Sequence, residues 1–480
     1  MKFAKNIILN SDSYKYSQFN QYPAGTEYVY SYIESRGGQW NDTVYFGLQA
    51  FIKEYLTTPI TKEDIDVAEA IITAHGEPFN RAGWDYILEA HAGRLPVVIK
   101  SAPEGLVIPT KNVLATIENT DPKCAWLTSF LETAILRAIW YPTTVATNSY
   151  ESKKIILKAL EKTGDPSLID FKLHDFGARG VSSMESAGIG AAAHLVNFLG
   201  TDTITGLLFA REYYGSDIAG FSIPAMEHST VTSWGKEHEV DAYRNMVKQN
   251  AKPGGIFACV SDSYDIYAAC EKWGTELKQD VLDSGATLVV RPDSGNPSDV
   301  VVKCLYILEK HFGSTTNAKG YRVLHPQVRI IQGDGIDHAS IHSILFCMEL
   351  AGFSADNIAF GQGGALLQMV NRDTMRFAMK CSAVGVRVED RKTTSAGVVA
   401  TNELEWRDVY KDPITDQGKK SKKGRVTLWE SNGEYQSSVT MPMGWTDRGT
   451  AWTEVLEEVY RDGAMVKEIT FEQVRANARK

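Results

Sequence analysis

Acidic, basic and glycine residues gather in this chain just beyond short apolar runs, where polar turns begin. Residues 256–260 run into Ser261-Asp262-Ser263-Tyr264-Asp265, and residues 287–290 into Arg291-Pro292-Asp293-Ser294-Gly295. Residues 328–331 meet Gln332-Gly333-Asp334-Gly335, and residues 358–360 meet Gly361-Gln362-Gly363-Gly364. Aspartates in such turns suit sugar hydroxyls or a metal ion, an arginine suits an oxyanion, and glycines let backbone N–H groups approach a phosphate. Each has a plainer reading. Arg291 and Asp293 could simply pair to close a turn, the glycines could serve only a tight turn, and Asp262 could be a helix cap. Four aspartates around one rim (Asp202, Asp262, Asp293, Asp334) are harder to explain that way, because like charges need cationic or hydroxyl partners. Arg179 and Arg291 would supply that balance. His228, in Pro224-Ala225-Met226-Glu227-His228-Ser229, could be a general acid, a pyrophosphate ligand, a nucleophile or a helix-start cap. The basic run from Lys419 to Arg425 reads as a solvated loop or as a cationic loop that closes over a polyphosphate. Together these residues describe an enzyme acting on a phosphorylated sugar.

The elements that must position them follow from spacing. The apolar runs end at intervals of roughly 30 to 40 residues, the length of a strand plus a crossover helix. Functional groups at successive strand ends are the pattern of an α/β barrel rim. The pattern covers roughly residues 165–380, with a strand at 171–173 leading into His174-Asp175-Phe176-Gly177-Ala178-Arg179-Gly180 and a small-residue helix over 183–198. Residues 203–208 are predicted as a strand, and 220–223 as another. Asn296-Pro297 opens a helix whose apolar positions Val301, Leu305, Leu308 and Phe312 recur at helical spacing before Gly313. The chain ends read differently, with strands at 28–32, 97–99, 424–429 and 435–441, the last pair around Ser431-Asn432-Gly433. The expected fold class is α/β: an irregular TIM-like (β/α) barrel domain over 161–380, plus an α+β domain built from 1–160 and 381–480.

Composition bounds the rest. A chain of 480 residues exceeds the size of one growing core, so two domains are expected. A net charge of −9 argues against a general nucleic-acid binder. The apolar runs fall far short of a membrane span, and Met1–Leu9 lacks the core of a secretory leader. Six cysteines without CxxC or metal-type spacing read as reduced core residues. The cytoplasm is the expected location.

The chain resembles the nicotinamide phosphoribosyltransferase family over nearly its whole length. The resemblance is carried by Asp12-Ser13-Tyr14-Lys15, Gln21-Tyr22-Pro23, Tyr30-Ser31-Tyr32 and His174-Asp175-Phe176-Gly177-Ala178-Arg179-Gly180-Val181-Ser182-Ser183. Ala187-Gly188-Ile189-Gly190, Gly200-Thr201-Asp202-Thr203, Glu227-His228-Ser229-Thr230 and Val260 to Asp265 continue it. Arg291 to Pro297, Gln332-Gly333-Asp334-Gly335 and Lys411-Asp412-Pro413 complete it. The resemblance implies transfer of phosphoribose from 5-phosphoribosyl 1-pyrophosphate to nicotinamide, giving the mononucleotide and pyrophosphate. It also implies a homodimer with shared sites, and ATP hydrolysis coupled through a phosphohistidine. Residue by residue, Phe176 and the neighbouring subunit's copy of Tyr14 would sandwich the pyridine ring, and Asp202 would accept the carboxamide hydrogen bond. Arg179, His228 and Arg291 would hold pyrophosphate, with His228 the phosphorylated histidine. Asp293, Gly333 and Asp334 would contact the ribose, and Gly363, Gly364 and Arg372 the 5′-phosphate. Arg36, Lys380 and Lys419 match cationic positions around the phosphates, and the implied reacting groups are His228, Arg291, Asp293 and Asp262. Mg²⁺ is implied as a cofactor held by substrate oxygens rather than by protein ligands. Ala178 stands where the family has a tyrosine, and Gln362 where it has a serine.

The chemistry agrees with that expectation. Displacing pyrophosphate from a ribose carbon needs cations on the leaving group, anions or dipoles near the sugar, and an aligned nucleophile. The ring nitrogen of nicotinamide is already nucleophilic, so no general base is needed. A nicotinate phosphoribosyltransferase is the nearest alternative, disfavoured because Asp202 would repel a carboxylate. A phosphosugar-binding barrel without turnover is the second; His228 with both arginines argues against it. An unrelated aldolase or hydrolase would need a strand-end lysine or a metal-ligand trio, and neither is visible.

Overall fold

The computed structural model of the protein describes residues 5–394, 397–442 and 451–480; residues 1–4 of the stretch read for a leader lie outside it. The chain divides into two compact units.

The unit formed by residues 145–212 and 216–370 carries the strand-turn-helix pattern. Its sheet has six strands in the order Gly200–Thr201, Leu173–Asp175, Ile358–Gln362, Val328–Gln332, Thr287–Arg291 and Ile256–Val260, all paired in parallel. Because successive side chains alternate faces, each strand feeds two cores. Phe257, Cys259, Leu288, Val290, Ile330, Ile358 and Phe360 join one cluster with apolar residues of the surrounding helices, whereas Ala258, Val289 and Ile331 pack with Ala359, Ile223 and Phe176. The segment after Gly220 ties the two sheet edges together. Phe221 N–H donates to Leu199 O at 2.7 Å and Thr201 N–H to Phe221 O at 3.0 Å. Met226 N–H donates to Ala258 O at 3.0 Å and Ala258 N–H to Pro224 O at 2.9 Å. These bonds close an irregular barrel and satisfy edge groups that would otherwise stay unpaired.

Helix starts are set as the sequence suggests. Asn296 accepts from Asp299 N–H ahead of Pro297–Phe312, which ends at Gly313 with φ 81°, and Asp337 with Ser340 forms a capping box for His338–Leu350. Two strand expectations fail. Residues 220–223 form only an isolated bridge, Phe221 with Gly200, because the segment crosses between the sheet edges. Residues 203–208 are not a strand: the strand is only Gly200–Thr201, and the helix Ile204–Tyr214 follows. Thr203 N–H bonds to Thr201 Oγ1 at 2.9 Å and Gly206 N–H to Thr203 O at 3.0 Å, which turns the chain into a helix. A short apolar run cannot by its period tell one state from the other. After Gly363 the helix is the single turn Gly364–Leu367, so its dipole adds little to a phosphate cradle there.

The second unit comprises 1–144, 213–215 and 371–480. Its antiparallel sheet runs Gly397–Asp408, Phe377–Thr394, Thr26–Ser35, Val113–Asn119, Val97–Ser101, Glu457–Arg461 and Ala464–Met465, so both chain ends build it. Asn432 and Gly433, at φ 52° and 82°, make the two-residue turn between Thr427–Ser431 and Glu434–Ser438. The expected boundaries at 160/161 and 380/381 move to 144/145 and 370/371. The first falls inside the helix Glu132–Thr163, just after Pro142, which lacks an N–H for the helix ladder. Ile156 and Leu160 of that helix pack in the barrel unit's core. The second boundary moves because Phe377–Lys380 pair with Tyr32–Ser35. Among the described residues no helix is long and apolar enough to cross a membrane.

Candidate active site

The first strand end presents an aromatic ring on a pinned turn. Asp175, fully buried, accepts Gly177 N–H at 2.7 Å and the Thr201 hydroxyl at 2.9 Å, while Phe176 N–H donates to Gln362 O at 2.9 Å. The Phe176 ring then lies against two glycines: a Cβ at Gly361 would sit 1.9 Å from it, and one at Gly333 3.0 Å from it. The Arg291 guanidinium stands 5.3 Å from the ring centroid, within cation–π range.

Through His174 this ring is connected to an acceptor. Asp202 Oδ1 receives His174 Nε2 at 2.8 Å and the Ser222 hydroxyl at 2.5 Å. Burial works to raise the Asp202 carboxyl, but the His174 hydrogen bond and charge, the Ser222 hydroxyl and Arg291 outweigh it. The group is held below the ordinary aspartate value and stays an anion. His174 in turn touches Phe176, with ring centroids 5.3 Å apart.

His228 opens the short helix His228–Thr232 and donates from Nε2 to Asp262 Oδ1 at 2.9 Å. Asp262 Oδ2 accepts Asp293 N–H at 3.1 Å and the Ser294 hydroxyl at 2.5 Å. Asp262 is therefore no helix cap; that task belongs to Asp265, which accepts from Tyr267 and Ala268. His228 Nδ1 lies 4.0 Å from Asp293 Oδ2, and Asp293 Oδ1 accepts Arg291 Nη2 at 2.7 Å. The turn-closing pair Arg291–Asp293 thus exists and is also a link in this network. Arg291 Nε is buried without a hydrogen-bond partner, a donor left over for an oxyanion. Arg179 and Asp334 are exposed at the same strand ends. Gly363 lies beside the Phe176 carbonyl, where an added Cβ would be 3.6 Å away, and nothing stands within 4 Å of one at Gly364. Backbone N–H groups there are open to close approach.

The remaining sequence candidates lie in the other unit. Tyr14 is exposed, with Lys15 Nζ 5.2 Å from its centroid, and Lys15 pairs with Glu132. Burial pushes the Lys380 ammonium down; Glu132 opposes this, and Arg36, Lys15 and Arg372 reinforce it. Arg36 has Nε and Nη2 buried without hydrogen-bond partners, although Glu34 stands 3.5 Å away. Lys380, Arg36, Lys15 and Arg372 thus form a cationic cluster in this unit. Arg372 and Lys419 are exposed and, among the described residues, form ion pairs with neighbouring Asp373 and Asp416.

Sequence reasoning gave no role to His174, Ser222 or Asp175. The strand period of two, which puts 174 and 176 on one side, was the available signal for His174. It also saw no metal-ligand trio, yet His91, Asp121 and Cys124 bring ligand atoms within 4.8 Å of one another. Protein hydrogen bonds already engage this corner: Asp121 accepts Tyr86, His91 and Lys123 N–H, and burial pushes the Cys124 thiol up to about 12.

Comparison with known proteins places this geometry. Residues 171–464 match the nicotinate phosphoribosyltransferase (NAPRTase) family, and residues 6–99 match the N-terminal domain of nicotinamide phosphoribosyltransferase. A nicotinamide phosphoribosyltransferase of Xanthomonas campestris pv. campestris is 54% identical over 100% of this chain and 99% of its own. One of Acinetobacter baylyi is 30% identical over 99% of this chain and 97% of its own. The crystal structure of nicotinate-nucleotide pyrophosphorylase from Pyrococcus furiosus shares the fold, with a TM-score of 0.60 at 17% identity over 100% of this chain and 96% of that one. The chain belongs to the nicotinamide phosphoribosyltransferases of the NAPRTase family.

Proposed function

We propose that the protein joins nicotinamide to 5-phosphoribosyl 1-pyrophosphate, releasing nicotinamide mononucleotide and pyrophosphate in the salvage of NAD, and that ATP hydrolysis stimulates the reaction. The observation that carries this reading is the Asp202 carboxylate, held by the same His174 whose ring touches Phe176. It is an ionised acceptor that suits an amide N–H and repels a carboxylate, which disfavours nicotinate as the base.

Phe176 stacks on the pyridine ring, and Tyr14 of the partner subunit covers the opposite face. As the C1–pyrophosphate bond breaks, negative charge builds on the leaving group and is met by Arg179, Arg291 and His228. Positive charge on the ribose is met by Asp293 and Asp334, with Gly333 allowing close approach. The ring nitrogen supplies the electron pair for the new bond to C1. Gly363 and Gly364 offer N–H groups to the 5′-phosphate, and Arg372, Arg36, Lys380 and Lys419 offer cationic charge to phosphate oxygens. Mg²⁺ supplies charge neutralisation on the pyrophosphate. Both Asp262 oxygens and one Asp293 oxygen are already taken by protein donors, so substrate oxygens suit the metal better than a protein cage.

For the ATP step, Asp262 holds His228 Nε2, leaving Nδ1 as the nucleophilic nitrogen. A P–N bond forms as the γ-phosphoryl P–O bond of ATP breaks and ADP leaves. A homodimer accords with exposed Ile204 and Leu208 on one face of their helix and exposed Phe171 and Phe221, whose rings touch. A cytoplasmic location belongs to the same proposal.

Synthesis of mononucleotide from either base, with and without ATP, tests the reading. His228→Ala is expected to abolish ATP stimulation and retain slow basal synthesis. Acid-labile label from γ-labelled ATP persisting in that variant would move the phosphate to another residue.

A further inference from the structure

His174 links the two halves of the base site without belonging to either. Its Nε2 donates to Asp202 Oδ1, its ring touches Phe176, and its side chain is 14% exposed. The fit depends on Gly200, where a Cβ would come within 2.5 Å of His174 Nδ1. The imidazole is thus packed edge-on against bare backbone while its other nitrogen holds the aspartate. Ser222, on the segment that closes the barrel, donates to the same oxygen from another direction. Among the described residues no hydrogen bond goes to Asp202 Oδ2.

We propose that His174, seconded by Ser222, is a positioning residue that sets base selectivity. The two donors occupy Oδ1, keep Asp202 an acceptor only, and leave Oδ2 as the oxygen for the carboxamide N–H. This rests on the reading of Asp202 as the amide acceptor. The physical content is a difference between two ligands. A carboxylate lacking these donors is free to turn, or to take a proton and donate it to a nicotinate carboxylate. One held by a histidine N–H and a hydroxyl presents a fixed lone pair, which rewards an amide and repels an acid. Neither donor needs to touch the substrate to have this effect.

The test compares kcat/KM for nicotinamide and nicotinate in His174→Phe, His174→Gln, Ser222→Ala and Asp202→Asn. His174→Phe keeps an aromatic ring and removes the donor, and His174→Gln restores an N–H of similar reach. The expected result is a fall of about tenfold in the nicotinamide-to-nicotinate ratio for His174→Phe, the scale of one lost hydrogen bond to a charged group. That fall should arise mostly from the KM for nicotinamide, with the KM for phosphoribosyl pyrophosphate unchanged. His174→Gln should recover most of it, and Ser222→Ala should show a smaller fall. Because both donors serve one oxygen, the double variant should not be the sum of the singles.

A wild-type ratio in His174→Phe, while Asp202→Asn lowers it, overturns the positioning role and leaves the Asp202 reading standing. An unchanged ratio in Asp202→Asn as well overturns both. An equal loss for both bases and for phosphoribosyl pyrophosphate also overturns it, since that is general disorder of the site. Should His174→Phe fail to fold, Ser222→Ala at its exposed position decides alone. A lowered ratio supports the inference and an unchanged ratio defeats it.

Discussion

At the scale of residues, close approach matters as much as charge. Gly361 shows this most directly, because the Phe176 ring occupies the place a Cβ would take, 1.9 Å from it. Gly361→Ala is expected to drive the ring off its seat and weaken base binding by roughly 1–2 kcal/mol, the scale of aromatic stacking plus lost apolar contact. The check is a raised KM for nicotinamide with the KM for phosphoribosyl pyrophosphate and the thermal midpoint little changed. The same glycine was visible in the sequence only as part of a presumed phosphate turn. What it faces is another strand end, 185 positions earlier in the chain, and no local pattern reports that.

At the scale of elements, the barrel's polar strand-end turns are held by the helices that follow them. Asn296 caps Pro297–Phe312 directly after the Arg291–Asp293 turn, and Val301, Leu305 and Leu308 of that helix are fully buried. Asn296→Ala should cost about 1 kcal/mol of stability, as loss of a cap commonly does, and lower the thermal midpoint by a few degrees. Activity at 25 °C should stay near wild type, since the packed face remains. A loss of activity without loss of stability would mean that the cap orients Asp293 itself. The helix and its cap were legible because propensity, capping and periodicity agree along Asn296–Gly313. Ile204–Tyr214 was misread because an apolar stretch with exposed Ile204 and Leu208 carries neither a clean strand nor a clean helix period.

At the scale of the molecule, buried titratable groups couple fold to pH. His194, wholly buried, receives the Ser149 hydroxyl on Nδ1 and donates from Nε2 to Gly200 O. Burial pushes its pKa down from 6.5 to about 4, with Asp175 opposing. In the unfolded chain the imidazole takes a proton below about 6.5, whereas the folded protein resists until about 4. The unfolded state therefore binds more protons across that window, and stability must fall as pH drops through it. Denaturant unfolding of the wild type should show that slope between pH 6.5 and 4, and His194→Gln should flatten it. The proposed homodimer gives the second prediction at this scale. Tyr14→Ala and Phe176→Ala should each be nearly inactive as homodimers, and mixed dimers should regain activity because one of two sites keeps both rings. Proven subunit exchange without recovery would defeat the shared site.

Apart from residues 203–208 and 220–223, the order of strands, turns and helices along residues 165–380 followed from the sequence alone, because each unit is local: a buried strand, a polar turn and a capped amphipathic helix. So did the placement of the rim's polar residues, since Asp202, His228, Asp262, Arg291 and Asp293 all fall in turns after short apolar segments. Partnership did not. That Asp262 holds His228 rather than capping a helix, that His174 and Ser222 hold Asp202, and that His91, Asp121 and Cys124 meet in a hydrogen-bonded corner depend on segments distant in sequence coming together. Side-chain hydrogen bonds act over about 3 Å, and only the folded chain decides which groups stand that close.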